Sequence, residues 1–304
     1  MGNSTSVTTN GVVQNRTTNR QNELTQVGTT NLTFDNNGAL ITDQNGKTLI
    51  YDAWNRVVEQ KTGAVSNITF AYDSMNRRIK EGTTVVYFSS AWQAIEERNS
   101  SNVAQVQYTW SAAYVDAMIA RDRDTDNNGT LEQRVFVMQD ANWNITAIAN
   151  STGAVVERFQ YDAYGKRTVL SPTFVAASDT FVFNHGFAGG KADAVTGRVN
   201  FRNREYDVDL MRWTTMDPIG FAAGDMNWYQ YVGAGPTGAV DPSGLDGWLT
   251  SVFGLGIGLG DPYSQQYAQL YVPELRNPVA EGLNLVGRQL NPLVGGGASR
   301  FSAS

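Results

Sequence analysis

Short runs of β-branched and aromatic residues at near-alternate positions recur along most of the chain and stop at clusters of Asn, Asp and Gly. Three stretches show it most clearly: TLIYDAWNRVVEQKTG (48 to 63), ITFAYDSMNRRIKEG (68 to 82) and RFQYDAYGKRTVL (158 to 170). Alternation is the period of a strand with one face buried and one wet, and a polar cluster between two such runs marks a hairpin. The turns fall at Asn55-Arg56, Asn76-Arg77 and Gly165-Lys166. Tyr-Asp precedes each turn, with a weaker copy in LTFDNNGALITD at 32 to 43, and 21 residues separate Tyr51 from Tyr72. That spacing lies in the range of stacked repeat units. Equal offsets from the turns predict Tyr51, Tyr72 and Tyr161 in equivalent places on one face. Further strands are expected within 85–99, 104–122 and 134–162. No comparable helical periodicity precedes residue 246, whereas Val279 to Leu290 predicts a helix. The expected fold is all-β, antiparallel hairpins in a curled, spiral or barrel-like sheet of about a dozen strands.

Composition narrows the chemistry. Lys+Arg 23 against Asp+Glu 29 leaves a net charge of −6, so no positive field attracts nucleic acid, and none is expected as a partner. Cys 0 removes disulfides and thiolate chemistry, and His 1 removes zinc sites and histidine-dependent triads. No apolar run is long enough to span a bilayer, and MGNSTSVTTN has the features of no export signal.

A denser block, RVNFRNREYDVDLMRWTTMDPIGFAAGDMNWYQYVGAGPTGAVDPSGL, occupies 198 to 245. With the Tyr-Asp copies it resembles the Rhs family, whose YD repeats end in an Rhs-associated core domain patterned R-x-Y-D, R-[FW], D-P-x-G, N-x-Y-x-Y, P and D-P-x-G-L. Here those places are Arg204, Tyr206, Asp207, Arg212, Trp213, Asp217, Pro218, Gly220, Asn227, Tyr229, Tyr231, Pro236, Asp241, Pro242, Gly244 and Leu245. The resemblance covers roughly 32 to 245 and divides the chain into a polar lead (1–31), YD hairpins (32–170), the core domain (171–245) and a variable extension (246–304).

Asp217 and Asp241 each open an Asp-Pro-x-Gly turn, where the proline holds the preceding residue extended. Two carboxylates brought within about 3–4 Å cannot both ionise, and such a pair can hydrolyse a peptide by exchanging one proton. Alternatively, each is only the capping residue of a turn. The resemblance implies the first use, since Rhs cores and the similar C component of Tc toxins are self-cleaving aspartic peptidases that cut after D-P-x-G-L, here Leu245-Asp246. It also implies a basic residue before the first D-P, where this chain has Met216, leaving Arg204 or Arg212 to fix a carboxylate. Asp225 is a third carboxylate between the turns.

The segment 121–134 sets Asp124, Asp126, Asn128 and Glu132 at places of a calcium loop, but Val135 stands where the bidentate Glu belongs. A polar hairpin tip that folds without cofactor explains the same residues. Trp54, Trp92, Trp110 and Trp143 suit either a strand core or sugar faces. The 59 residues of 246–304 are too few and too glycine-rich for a catalytic core. Two functions follow. One, implied by the Rhs resemblance, is a secreted or surface scaffold that holds its own segment 246–304 and cuts it free in a single turnover. The other is a non-catalytic module binding a cell-surface glycan or protein.

Overall fold

The computed structural model describes residues 2–245. The helix expected at Val279 to Leu290, and Asp246 of the expected cleavage site, lie outside the described residues. Twenty-two strands and three short 3-10 turns make up the described residues, more strands than the alternation had suggested. Fourteen of them, from Thr33–Phe34 to Arg167–Leu170, form one antiparallel sheet in which each strand pairs only with its neighbours in sequence. A four-stranded sheet precedes it, Ser6–Thr9 to Thr30–Asn31. Another follows, built from Lys191–Ala192, Arg198–Phe201, Arg204–Asp207 and Arg212–Trp213.

One turn chemistry builds the large sheet. At Asp52 the carboxylate accepts the N–H groups of Trp54 and Arg56 (2.9 and 3.1 Å), and Asn55 takes a left-handed φ of 63°. Asp73 repeats this with Met75, Arg77 and Asn76, and Asp162 with Tyr164, Lys166 and Gly165. A short oxygen-bearing side chain supplies the local hydrogen bonds, and Asn or Gly tolerates the positive φ. Ser89 and Asp140 head the same turn with Trp92 and Trp143 in the left-handed place, so these two tryptophans are turn residues rather than strand residues. Trp54, also in a turn, is largely exposed.

The repeat tyrosines do occupy equivalent places. Tyr51, Tyr72 and Tyr161 donate their hydroxyls to the carbonyls of Leu40, Val57 and Ile145, at 3.0, 2.8 and 3.0 Å. Each acceptor lies two residues past the left-handed residue of an earlier turn (Gly38, Asn55, Trp143). Burial raises all three phenol pKa values, which keeps them as donors. Trp110 takes the same role, its indole N–H reaching the Ala94 carbonyl at 2.6 Å.

The last sheet and the chain after it pack against strands and turns of the large sheet. An apolar cluster of Phe187, Phe201, Tyr206, Trp213 and Tyr231 centres this part, with Tyr206 and Tyr231 rings 4.6 Å apart. Around it the contact is ionic. Arg198 meets Asp43 (2.7 Å), Asp207 (3.3 Å) and Gln60 (2.8 Å); Arg78 meets Glu205; Lys191 lies between Glu81 and Glu97, 2.7 Å from each. His185, buried beside Lys191, is pushed down to about 3, and its ring packs against Tyr108 and Trp110.

Candidate functional site

Strands Arg198–Phe201 and Arg204–Asp207 pair in register, leaving Arg202 and Asn203 as a two-residue tip with Arg202 at φ 63°. The loop 241–245 lies against this tip. Gly244 is required there: it has φ 71°, and a Cβ would stand 2.6 Å from the Phe201 carbonyl oxygen. Arg204 follows the tip and is fully enclosed, its guanidinium 4.1 Å over the Trp213 ring. One of its nitrogens, Nη2, contacts Asp217 Oδ2 at 2.8 Å and Asp241 Oδ2 at 3.4 Å. Its Nη1 donates to the Trp228 carbonyl at 3.2 Å, and its Nε to the Gly244 carbonyl.

The two Asp-Pro-x-Gly turns therefore converge on one guanidinium nitrogen, and the carboxylates are separated by no more than the sum of those two contacts. Asp217 also caps its own turn, accepting the Ile219 N–H at 3.0 Å, while Pro218 faces solvent and Gly220 takes φ 57°. Burial pushes the Asp217 carboxyl up to about 6, with Asp241 adding to the rise and Arg204 and the Ile219 N–H opposing it. Burial likewise lowers the Arg204 pKa against the raising effect of both aspartates. Asp241 Oδ1 accepts the Ser243 hydroxyl at 3.2 Å and the Leu245 N–H at 3.1 Å. Leu245 is thus held beside the pair, and its carbonyl carbon is two covalent bonds from that nitrogen.

Arg212, expected as an alternative to Arg204, turns elsewhere. It lies 4.9 Å over the Tyr229 ring and donates to the Asn22 carbonyl and, at 3.5 Å, to Asn3. Burial lowers it to about 10. Met216 packs toward Gly38 and Tyr229 and brings no charge. Asp225 accepts the Asn227 N–H within its own turn. Other motif residues anchor the core block: Tyr206 donates to the Tyr164 carbonyl (3.0 Å), Tyr229 to the Gly38 carbonyl (2.8 Å), and the Asn227 amide to Asn3 (3.0 Å). Asp207 pairs with Arg198 and caps Asp209 and Leu210, and Pro236 borders a cavity of about 510 Å³ beside the turns at 140–144 and 162–166. Asp124, Asp126 and Glu132 do approach within 4.8 Å of one another, but Asp124 already accepts three backbone N–H groups and Glu132 holds Thr125. Sequence reading missed Asn203, whose N–H and side-chain amide both donate to the Ser243 carbonyl (3.1 and 3.0 Å).

A sequential sheet of Tyr-Asp hairpins wrapped about an ionic and aromatic core segment defines a YD-repeat scaffold protein. The chain belongs to the teneurin YD-shell family, whose profile matches residues 2–232. It is 28% identical to the tRNA nuclease WapA of Bacillus subtilis over 247 residues, which are 77% of this chain and 10% of that protein. It is 27% identical to the double-stranded DNA deaminase toxin A of Burkholderia cenocepacia over 245 residues, 70% of this chain and 17% of that one. Teneurin-3 of Mus musculus is 25% identical over 165 residues, 51% and 6% of the two chains. Among solved structures, TcdB2–TccC3 matches 77% of this chain and 12% of its own at a TM-score of 0.59 and 19% identity. The Photorhabdus luminescens Tc holotoxin pore matches 79% and 13% at 0.55 and 18% identity. The matched part of the chain thus spans between 6% and 17% of the length of these larger proteins. Among the described residues no helix is long and apolar enough to cross a membrane.

Proposed function

We propose that this YD scaffold is secreted or displayed at the surface, holds its own segment 246–304 and hydrolyses the Leu245-Asp246 peptide bond once, in a toxin setting like that named for its nuclease and deaminase-toxin relatives. The observation that carries this is the single Arg204 nitrogen shared by Asp217 and Asp241, with the Leu245 N–H on the same Asp241 carboxylate. Asp217, raised to about 6 by burial, is the group that keeps a proton and gives it to the Leu245 carbonyl oxygen. The Asp241 carboxylate takes a proton from water as the water oxygen bonds to the carbonyl carbon. The tetrahedral intermediate then collapses: Asp241 passes the proton it took from water to the Asp246 nitrogen as the C–N bond breaks, a hydroxyl proton of the intermediate returns to Asp217, and Leu245 leaves as a carboxylic acid that then ionises. Arg204 steadies the charge that builds between the two turns.

Mass spectrometry of the purified chain tests the proposal. A fragment matching 246–304 is expected, absent in Asp217→Asn and retained in Asp225→Asn. Met216, neutral where the motif expects a base, favours a second reading: an uncut scaffold that presents its hairpins to a cell-surface glycan or protein. An intact wild-type chain would decide for that one.

A further inference from the structure

Three consecutive residues hold three consecutive carbonyls. Arg202 donates to Pro242, Asn203 to Ser243 and Arg204 to Gly244, so the tip of the 198–207 hairpin reads the loop 241–245 residue by residue. Each of the first two is gripped from behind by a turn of the large sheet. Asp116, buried in the turn 111–117, holds Arg202 at 2.6 Å, and Asn76, the left-handed residue of the turn 73–77, donates to Asn203 Oδ1 at 2.7 Å. Both turns lie at the same end of the sheet, since alternate connections of a sequential antiparallel sheet share an end.

We infer that Asp116 and Arg202, with Asn76 and Asn203 beside them, are positioning residues that fix the loop 241–245 against the aspartate pair only when the hairpin 198–207 is seated on the turns at 73–77 and 111–117. The inference rests on the self-cleavage reading for its consequence: the cut becomes conditional on the sheet being formed around the core segment. Among the described residues, Arg202 and Asn203 reach the loop at the Pro242 and Ser243 carbonyls, ahead of Leu245. Arg202 acts through the Pro242 carbonyl, and its planar guanidinium bonds that carbonyl through Nη1 and Asp116 through Nη2, so the two partners are held at a fixed mutual angle.

The test uses the whole chain. In Arg202→Ala the appearance of the 246–304 fragment should slow by about tenfold or more, the scale on which misplaced reacting groups cost rate. Millimolar ethylguanidinium should restore most of it, because the Arg202 side chain is 15% exposed and the gap is reachable. Asn76→Ala should slow the cut less, and it serves where Arg202→Ala fails to fold. Cutting at the wild-type rate in both variants overturns the inference, as does a loss that ethylguanidinium leaves unrepaired and Asn76→Ala does not share. A second readout needs no cleavage: in an Asp217→Asn chain, Arg202→Ala should speed hydrogen exchange within 241–245 about tenfold while strands 104–110 and 133–139 are unchanged. If wild type is never cut, the aspartate reading falls and this exchange measurement alone decides the positioning role, with unchanged protection refuting it.

Discussion

Asp217 carries a cost that depends on pH. Its folded-state value of about 6 stands above the ordinary carboxylate value near 3.8, so the folded protein keeps a proton that the unfolded chain releases between those two points. The stability this confers is complete below about pH 4 and is lost as pH rises through 6. At about 1.4 kcal/mol per pKa unit the loss is on the order of 2–3 kcal/mol. Asp217→Asn cannot ionise, so denaturant titrations should show it gaining about that much on wild type between pH 4 and pH 7. In the proposed self-cleavage this is the proton donated, so the rate of fragment release should fall as pH climbs past about 6. The aspartates, Leu245 and Arg204 could be found in the sequence because the paired Asp-Pro-x-Gly turns and the Arg-x-Tyr-Asp run mark them. Which of Arg204 and Arg212 served could not, since both sit on strands with inward-facing side chains and only packing separates them.

At the scale of the element, the hairpin turn is where local chemistry decides the fold. Asn55→Gly should leave the thermal midpoint nearly unchanged, whereas Asn55→Val, with a branched Cβ at φ 63°, should cost about 1–2 kcal/mol. Tyr72→Phe removes the hydroxyl bonded to the Val57 carbonyl and should cost about 1 kcal/mol. Turns headed by Asp with Asn or Gly three residues on were readable because those side chains carry the turn in their own bonding. The turns with Trp92 and Trp143 were not, since neither residue favours a positive φ, and the bonds from Ser89 and Asp140 hold it there against that preference. Nor could alternation reveal that Asn203 meets Ser243, because period-2 patterning says which face is buried and not which loops touch.

On the scale of the whole molecule, the large sheet and the core segment meet through buried charges. Arg198→Ala would leave Asp43 and Asp207 enclosed without their cation, and about 3–5 kcal/mol of lost stability is expected in denaturant unfolding. The alternating pattern predicted the sheet and not this interior, for inward-facing Asp43, Gln60, Arg78 and Glu97 read as wet-face residues until their partners are known. Arg198 and Asp43 are 155 residues apart in the chain, whereas every pairing in the large sheet is between sequence neighbours. Such a sheet can grow strand by strand as the chain leaves the ribosome, but the ionic contacts wait for residues beyond 190. The sequential strand order is thus also a clock, and the loop 241–245 is the last described part to arrive.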